Sequence, residues 1–549
     1  MRLHSLLIFP FLISSLNAKG GWFYGRDRPD SWTQGGVWPL PQYITYGGVN
    51  RTVSPGKIVI VAGAHEDCDI IEENVRNYVE RLLFPFPVHA EETSSSYHLT
   101  IRINAKCPYG APQQDMDESY RLKVSSEKGV LESSEVWGVV RGLETFSQLI
   151  FYDERENTYK LRTAVIEDFP RFSVRGILLD TSRHFLSVKT IKRQIDIMAA
   201  NKMNVFHWHI VDSESFPYQS LLFPYLTHKG AYSKRHIYSR SNIEEIIAYA
   251  RIRAIRVIPE FDTPGHTSSW KAQPGFLTEC FDDNGQETGL PNLIDPSEEK
   301  NFEFLEKFLD EVVTTFPEKF LHLGGDEISD YLVECWERNP KILAFMKRRG
   351  FGNDTKLLEN YYFTRLQEIV KNISEKKDAV FWQEVFDNNK PEKSSIIHLW
   401  KGNTFAELSE NIRQATMKGH RVIVSSCWYL NYVKYGADWR SNITSNAETN
   451  SLYYYCDPQD FLGTAEQKAL VLGGIATMWG EMIDNTNIEA ILWPRASSVA
   501  ERLWSSIEGT REASIAWPRL HELRCRLVAR GYRIAPTNWP DYCPFEFDS

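Results

Sequence analysis

Eight short apolar runs between residues 175 and 481, each ending in polar or aromatic residues, constrain the fold of this 549-residue chain more than any other feature. They are Arg175-Gly-Ile-Leu-Leu-Asp-Thr181, Asn204-Val-Phe-His-Trp-His-Ile-Val-Asp212, Arg256-Val-Ile-Pro-Glu-Phe-Asp262 and Phe320-Leu-His-Leu-Gly-Gly-Asp-Glu327. Ala379-Val-Phe-Trp-Gln-Glu384, Ser395-Ile-Ile-His-Leu-Trp400, Arg421-Val-Ile-Val-Ser-Ser-Cys-Trp-Tyr429 and Gly474-Ile-Ala-Thr-Met-Trp-Gly-Glu481 follow. Strands buried on both faces read as continuous apolar segments of this kind. Helical patterns over 188–200, 242–253 and 301–315 separate several of them. The alternation predicts an α/β fold, a (β/α)8 TIM barrel with long insertions. The interval between the fifth and sixth runs is too short for a full helix, so that unit is expected to be degenerate. In such barrels the chemistry sits at the C-terminal strand ends, where this chain collects its Asp, Glu, Trp and His residues.

Ahead of the barrel, residues 19–170 read as a smaller α+β domain. Lys57-Ile-Val-Ile-Val-Ala-Gly63 and Tyr97-His-Leu-Thr-Ile-Arg-Ile-Asn104 have strand composition, Tyr120-Arg-Leu-Lys-Val124 alternates, and 137–150 has helical spacing. No catalytic pattern occurs there. The expected barrel unit, 171–549, ends in a helical tail over 517–530. Residues 1–18 read as a signal peptide: a basic tip, an apolar stretch from Ser5 to Leu16, and Ala18 before the expected cut. The route is therefore the secretory pathway, with a lysosomal or secreted destination. Eight cysteines follow (Cys68, Cys107, Cys280, Cys335, Cys427, Cys456, Cys525 and Cys543), none in a C-x-x-C pair. An even count behind a leader suggests disulfides, although eight cysteines permit 105 pairings. Sequons at Asn50, Asn353, Asn372 and Asn442 fit the same route as glycosylation sites. Lys and Arg total 62 against 72 Asp and Glu, so the basic surplus of a nucleic-acid binder is missing. Mean hydropathy is −0.38, and no transmembrane segment is expected.

Gly324-Gly325-Asp326-Glu327 is the sharpest local signal. Two glycines allow a tight turn at a strand end, and two adjacent carboxyls repel, so one should hold its proton while the other stays ionised. Trp382, Trp400, Tyr429 and Trp479 fall near other strand ends, with Glu481 just beyond. Indole walls around carboxylates suit a sugar, which offers apolar C–H faces and hydroxyls. Asp262-Thr-Pro-Gly-His266 adds a carboxylate and an imidazole near the same rim.

These segments resemble the β-N-acetylhexosaminidases of glycoside hydrolase family 20, most closely the animal lysosomal subunits. The resemblance is carried in order by Arg175-Gly176 with Asp180-Thr-Ser-Arg-His184, His207-Trp-His-Ile-Val-Asp212, Asp262-Thr-Pro-Gly-His266 and His322-Leu-Gly-Gly-Asp-Glu327. Trp382-Gln-Glu-Val385, Trp428-Tyr-Leu430, Trp479-Gly-Glu481, Leu492-Trp-Pro-Arg-Ala496 and Glu501-Arg-Leu-Trp504 continue it. It implies exo-hydrolysis of terminal β-linked GlcNAc and GalNAc from glycans or chito-oligosaccharides, without cofactor or metal. The substrate's own 2-acetamido oxygen would be the nucleophile, an exception to the two-carboxylate rule. Glu327 would be the acid and base, with its pKa raised beside an ionised Asp326. Asp326 would orient the acetamide, and Tyr429 would bind its oxygen. Trp382, Trp400 and Trp479 would enclose its methyl group. Arg175 and Glu481 would bind sugar hydroxyls, the role of Arg175 resting on the resemblance alone because it stands at the start of its run. Asp212, Asp262 and His266 would set the protonation of Glu327. The resemblance pairs Cys68 with Cys107, Cys280 with Cys335 and Cys525 with Cys543, leaving Cys427 for Cys456. A homodimer is expected.

One departure bears on specificity. Where relatives carry a carboxylate, or an Asn followed by Arg, this chain has Asn431-Tyr432. Neither charge that would repel or attract a 6-sulfate is present, Lys434 being the nearest cation in sequence, so neutral sugars are expected to be preferred. Two other functions fit parts of the sequence. A metal-dependent hydrolase could use His207, His209, His322 and His398. A non-catalytic amino-sugar-binding protein would keep the aromatic walls, but the presence of Asp326, Glu327 and Tyr429 argues against it.

Overall fold

The computed structural model describes residues 33–546, apart from 64–66, 87, 329–331, 375, 433–437, 441–452, 539–541 and 544. The expected signal peptide, Asn442 and Lys434 lie outside the described residues.

The first sheet has seven strands: β1 (Tyr43–Val53), β2 (Ile58–Val61), β3 (Tyr97–Ile103), β4 (Tyr120–Val124), β5 (Lys128–Ser133), β6 (Ile150–Asp153) and β7 (Thr158–Asp168). Their order is β1-β7-β4-β5-β3-β2, with β6 also on β7. The alternating burial of β3 and β4 marks a sheet with one face packed. The helix Val136–Gln148, buried along its whole length, covers that face.

Eight further strands close a parallel barrel: β8 (Val174–Asp180), β9 (Val205–Val211), β10 (Arg256–Phe261), β11 (Phe320–His322), β12 (Asp378–Trp382), β13 (Ile396–Leu399), β14 (Arg421–Val424) and β15 (Val471–Met478). All eight expected runs contribute a strand. β11 is only three residues long because Gly324 and Gly325 turn the chain at φ +71° and +105°. The β12–β13 unit is the degenerate one, with a six-residue helix, Gln383–Asn388. The tail helix runs over Ala513–Ala529. The disulfides are Cys68–Cys107, Cys280–Cys335, Cys427–Cys456 and Cys525–Cys543.

Arg175 requires a correction. It is fully buried at the N-terminal end of β8, opposite the mouth expected to hold a ligand. Its guanidinium donates to Glu118 Oε1 at 2.6 Å, Phe172 O at 2.7 Å and Lys202 O at 3.0 Å. Glu118 also accepts from Arg141 of the helix over the first sheet. Arg175 therefore bonds the barrel to the first sheet and does not bind sugar hydroxyls. Arg175→Met leaves Glu118 buried with less of its compensating charge and should cost about 3–5 kcal/mol of stability. The measurements are the denaturation midpoint, which should fall, and KM, which should not change.

Candidate active site

The C-terminal ends of the strands carry the residues the sequence singled out. Asp326 and Glu327 follow the Gly324-Gly325 turn. A Cβ on Gly324 would lie 1.6 Å from Asp262 Oδ1, so only glycine admits that close approach. Asp262 Oδ1 in turn accepts from Gly325 N at 2.9 Å, fixing the turn that delivers both carboxyls. Glu327 and His266 both occupy the left-handed region, at φ +58° and +57°. Strained non-glycine backbone of this kind persists where the surroundings enforce it, commonly at functional sites.

His266 links the acidic residues. Its Nδ1 lies 3.1 Å from Asp212 Oδ1, and its Nε2 lies 3.4 Å from Glu327 Oε2 and 3.8 Å from Asp326 Oδ2. Burial alone would depress its pKa, but Asp212, Asp326 and Asp262 outweigh it and hold the imidazole well above its usual value. His266 is therefore a cation. Burial would likewise raise Asp212, yet His266, Arg183 and His209 keep it ionised, well below the usual carboxylate range.

The two catalytic candidates titrate in the reverse of the expected order. The hydrogen bond from His266 lowers Glu327, outweighing its partial burial, and the charge of Arg183 adds to the effect. Burial raises Asp326, with Glu260 and Glu327 opposing its ionisation. The sequence places two carboxyls side by side but does not show that the imidazolium bonds the more exposed one. The Glu327 side chain is 37% exposed against 13% for Asp326, so a ligand that excludes water changes Glu327 most.

The aromatic residues meet as expected. Trp382 and Trp479 have ring centroids 6.1 Å apart, Trp400 and Tyr429 6.4 Å, and Trp479 hydrogen-bonds Tyr429. Trp382 is pinned from below: its indole donates to Glu260 Oε1 at 2.7 Å and stacks on His398 at 4.3 Å. Trp400 donates to Glu384 Oε2 at 2.8 Å, and Lys401 Nζ lies 3.0 Å from Glu384 Oε1. Burial and the charge of Asp326 push Glu384 up to about 7. Asp326 Oδ1 is buried with no hydrogen-bond partner among the described residues, and so is Asn431 Oδ1. Tyr432 stacks on Tyr429.

Arg183 is one residue the sequence reading missed. It lies beyond β8, at the opposite end of that strand from Arg175, and reaches Asp212 Oδ2 at 2.8 Å, Glu214 Oε2 at 3.0 Å and Asp180 Oδ2 at 3.1 Å. Its guanidinium stands 5.5 Å from the Trp479 ring and feels the charge of Glu481 at the exposed rim. The signal was present in Asp180-Thr-Ser-Arg-His184, the only arginine at the C-terminal end of that run.

Metal ligation fits these residues poorly. Nitrogens of His207, His322 and His398 come within 4.8 Å of one another at the barrel centre. However, His322 Nε2 faces His398 Nδ1 at 3.1 Å, His398 Nε2 faces Ser425 Oγ at 2.7 Å, and His207 Nε2 faces Glu260 at 2.8 Å. The cluster is fully buried under Trp382, whereas a catalytic metal needs an open position. In a second group, Asp212, Asp262 and His266, His266 already faces Asp212 Oδ1 at 3.1 Å with one nitrogen and Glu327 Oε2 at 3.4 Å with the other.

Comparisons with known proteins agree with this geometry. Residues 172–507 match the glycosyl hydrolase family 20 catalytic domain, and residues 37–149 match a domain described as beta-acetyl hexosaminidase like. Beta-hexosaminidase A of Caenorhabditis elegans is 58% identical over 544 residues, covering 99% of this chain and 98% of that protein. Beta-hexosaminidase subunit beta of Homo sapiens is 42% identical over 525 residues, covering 93% and 90%. The structure of a Flavobacterium johnsoniae chitobiase superimposes with a TM-score of 0.73 at 30% identity, covering 90% of this chain and 73% of that one.

Proposed function

The chain belongs to glycosyl hydrolase family 20 and is a glycoside hydrolase that removes terminal β-linked GlcNAc; from that premise we propose substrate-assisted, retaining catalysis extending to β-linked GalNAc. The observation that carries the reading is the buried, unpartnered Asp326 Oδ1 beside the half-exposed Glu327. An acetamide N–H supplies the partner that Asp326 Oδ1 lacks, and the indoles of Trp382, Trp400 and Trp479 receive its methyl group. Tyr429 binds the acetamide oxygen. Held there, that oxygen attacks C1 at high effective molarity. The positive charge that develops on the bicyclic intermediate favours Asp326 as a carboxylate.

Glu327 protonates the leaving oxygen and then takes a proton from the attacking water. The sugar strips water from Glu327 as it binds, and that desolvation raises the carboxyl against the lowering effect of His266. Arg183, in place of Arg175, is the guanidinium available to sugar hydroxyls, with Glu481 beside it. Asp212, Asp262 and His266 set the charge around Glu327. The test is hydrolysis of chromogenic β-GlcNAc and β-GalNAc across pH 3–8, which should show an acidic optimum for both.

Specificity at the rim follows from Asn431. Its unpartnered amide oxygen accepts from a sugar hydroxyl, and with Tyr432 it supplies neither a repelling nor an attracting charge to a 6-sulfate. An arginine there would add a charge-assisted bond worth ~1.5–3 kcal/mol. Neutral GlcNAc and GalNAc ends are therefore preferred, and the 6-sulfated substrate is slow. Comparing kcat/KM for neutral and 6-sulfated chromogenic substrates checks this, and a ratio above one for the sulfated substrate refutes it.

Entry to the secretory pathway, with a lysosomal or secreted destination, is supported by the four disulfides and by exposed Asn50, Asn353 and Asn372. Oxidised cysteines persist in that compartment, and no helix of the described residues is long and apolar enough to cross a membrane. The assembly is a homodimer in this reading.

A further inference from the structure

Glu260 is a carboxylate inside an apolar strand, fully buried at the barrel centre beneath the pocket residues. Its two oxygens face different halves of the site. Oε1 accepts from the indole of Trp382 at 2.7 Å and lies 3.3 Å from His322 Nδ1. Oε2 lies 2.8 Å from His209 Nδ1 and 2.8 Å from His207 Nε2. From His209 a file of side chains leads outward: Nε2 meets Asp212 Oδ2 at 2.8 Å, Asp212 Oδ1 meets His266 Nδ1 at 3.1 Å, and His266 Nε2 stands in ion-pair contact with Glu327 Oε2 at 3.4 Å. Packing fixes the inner steps, since Glu260, His209 and Asp212 are at most 1% exposed.

We propose that Glu260 is a positioning residue that aligns the pocket floor and the general acid together. One oxygen holds the Trp382 indole beneath the acetamide, and the other anchors the His209–Asp212–His266 file that aims Glu327. An ionised carboxylate suits this role because it accepts hydrogen bonds at both oxygens, where an amide would accept at only one. Burial would favour its protonation, but the surrounding imidazoles outweigh burial and hold it well below the usual carboxylate range, the cationic His209 supplying the charge. His209 is the cationic partner: Glu260 and Asp212 outweigh its burial and raise it well above the usual imidazole value. His322, by contrast, is driven down to about 3 by burial, so it stays neutral. The pair Glu260–His209 is thus a buried ion pair placed where it fixes orientation, and a misplacement of the reacting groups by about 1 Å can cost ~10²-fold in rate.

The proposal rests on the substrate-assisted reading above, and two measurements separate its parts. A thiazoline mimic of the bicyclic intermediate reports the floor. The ratio of kcat/KM for a nitrophenyl glycoside to that for chitobiose reports the acid, because a nitrophenolate needs little protonation to leave. Glu260→Leu should weaken thiazoline binding tenfold or more and raise that ratio tenfold or more. His209→Phe breaks only the outer arm, so it should raise the ratio similarly while leaving thiazoline affinity within about twofold; these fold-changes are orders of magnitude. The double variant should match Glu260→Leu on the ratio, because both substitutions interrupt one file. A folded Glu260→Leu with wild-type thiazoline affinity and wild-type ratio overturns the proposal. Where Glu260→Leu does not fold, His209→Phe decides alone: equal losses on both substrates overturn it. Wild-type enzyme that binds thiazoline no better than GlcNAc would instead overturn the substrate-assisted reading itself.

Discussion

Glu327→Gln should lower kcat/KM for chitobiose by ~10²-fold or more, while a nitrophenyl glycoside loses much less. The amide keeps the shape of the carboxyl and can still receive the His266 N–H, but it carries no acidic proton to transfer. No neighbour replaces it. The Nε2 of His266 is directed at Glu327 and its Nδ1 at Asp212, and Asp326 is the less exposed of the two carboxyls. The rate that remains comes from the acetamide nucleophile, which the substitution leaves in place. Equal losses on both substrates would remove Glu327 from the acid role.

The same residue sets a pH dependence whose position differs between two rate constants. An acid catalyst must be protonated, so activity falls as pH rises through its pKa. In the free enzyme His266 lowers Glu327, so the alkaline fall of kcat/KM, which reports the free enzyme, begins at low pH. In the complex the sugar excludes water from a side chain that is otherwise 37% exposed, which raises the carboxyl. The alkaline limb of kcat should therefore lie at higher pH than that of kcat/KM. Coincident limbs would show that binding does not desolvate Glu327.

The barrel was legible because parallel strands covered on both faces leave an unusual trace, an apolar run with polar ends. The run Arg256-Val-Ile-Pro-Glu-Phe-Asp262 became β10 with its bounds nearly unchanged. The run ending in Glu327 was misjudged in extent, since the strand stops at His322 and positive-φ glycines carry the rest. Apolar patterning cannot separate a strand from the turn that follows when both are buried.

The site was legible where chemistry depends on residue type at a strand end, as with Asp326, Glu327, Trp382 and Tyr429. It was misread where chemistry depends on which end of a strand a residue occupies. Arg175 and Arg183 lie eight positions apart, yet β8 carries one to the first sheet and the other to the mouth. Glu260 and Glu384 escaped notice for another reason. Neither touches the surface, and their roles appear only once the partners of Trp382 and Trp400 are known. A carboxylate inside an apolar run was nonetheless a signal, because a buried charge must be compensated.

The nucleophile is the central claim, and the binding of a GlcNAc-derived thiazoline tests it most directly. The thiazoline fixes the five-membered ring that the acetamide oxygen would close on C1, so it resembles the high-energy intermediate more than the sugar does. Such mimics bind at least ~10²-fold more tightly than the ground state when the enzyme is shaped to the reaction path. Asp326 Oδ1 and the indole walls are placed to receive that ring, and Asp326→Asn should remove much of the preference by taking away the carboxylate that faces its nitrogen. Thiazoline affinity at least ~10²-fold above that of GlcNAc for the intact enzyme, with that preference reduced in Asp326→Asn, is the predicted result. Equal affinity for the two ligands, or a covalent glycosyl-enzyme trapped during turnover, would contradict it.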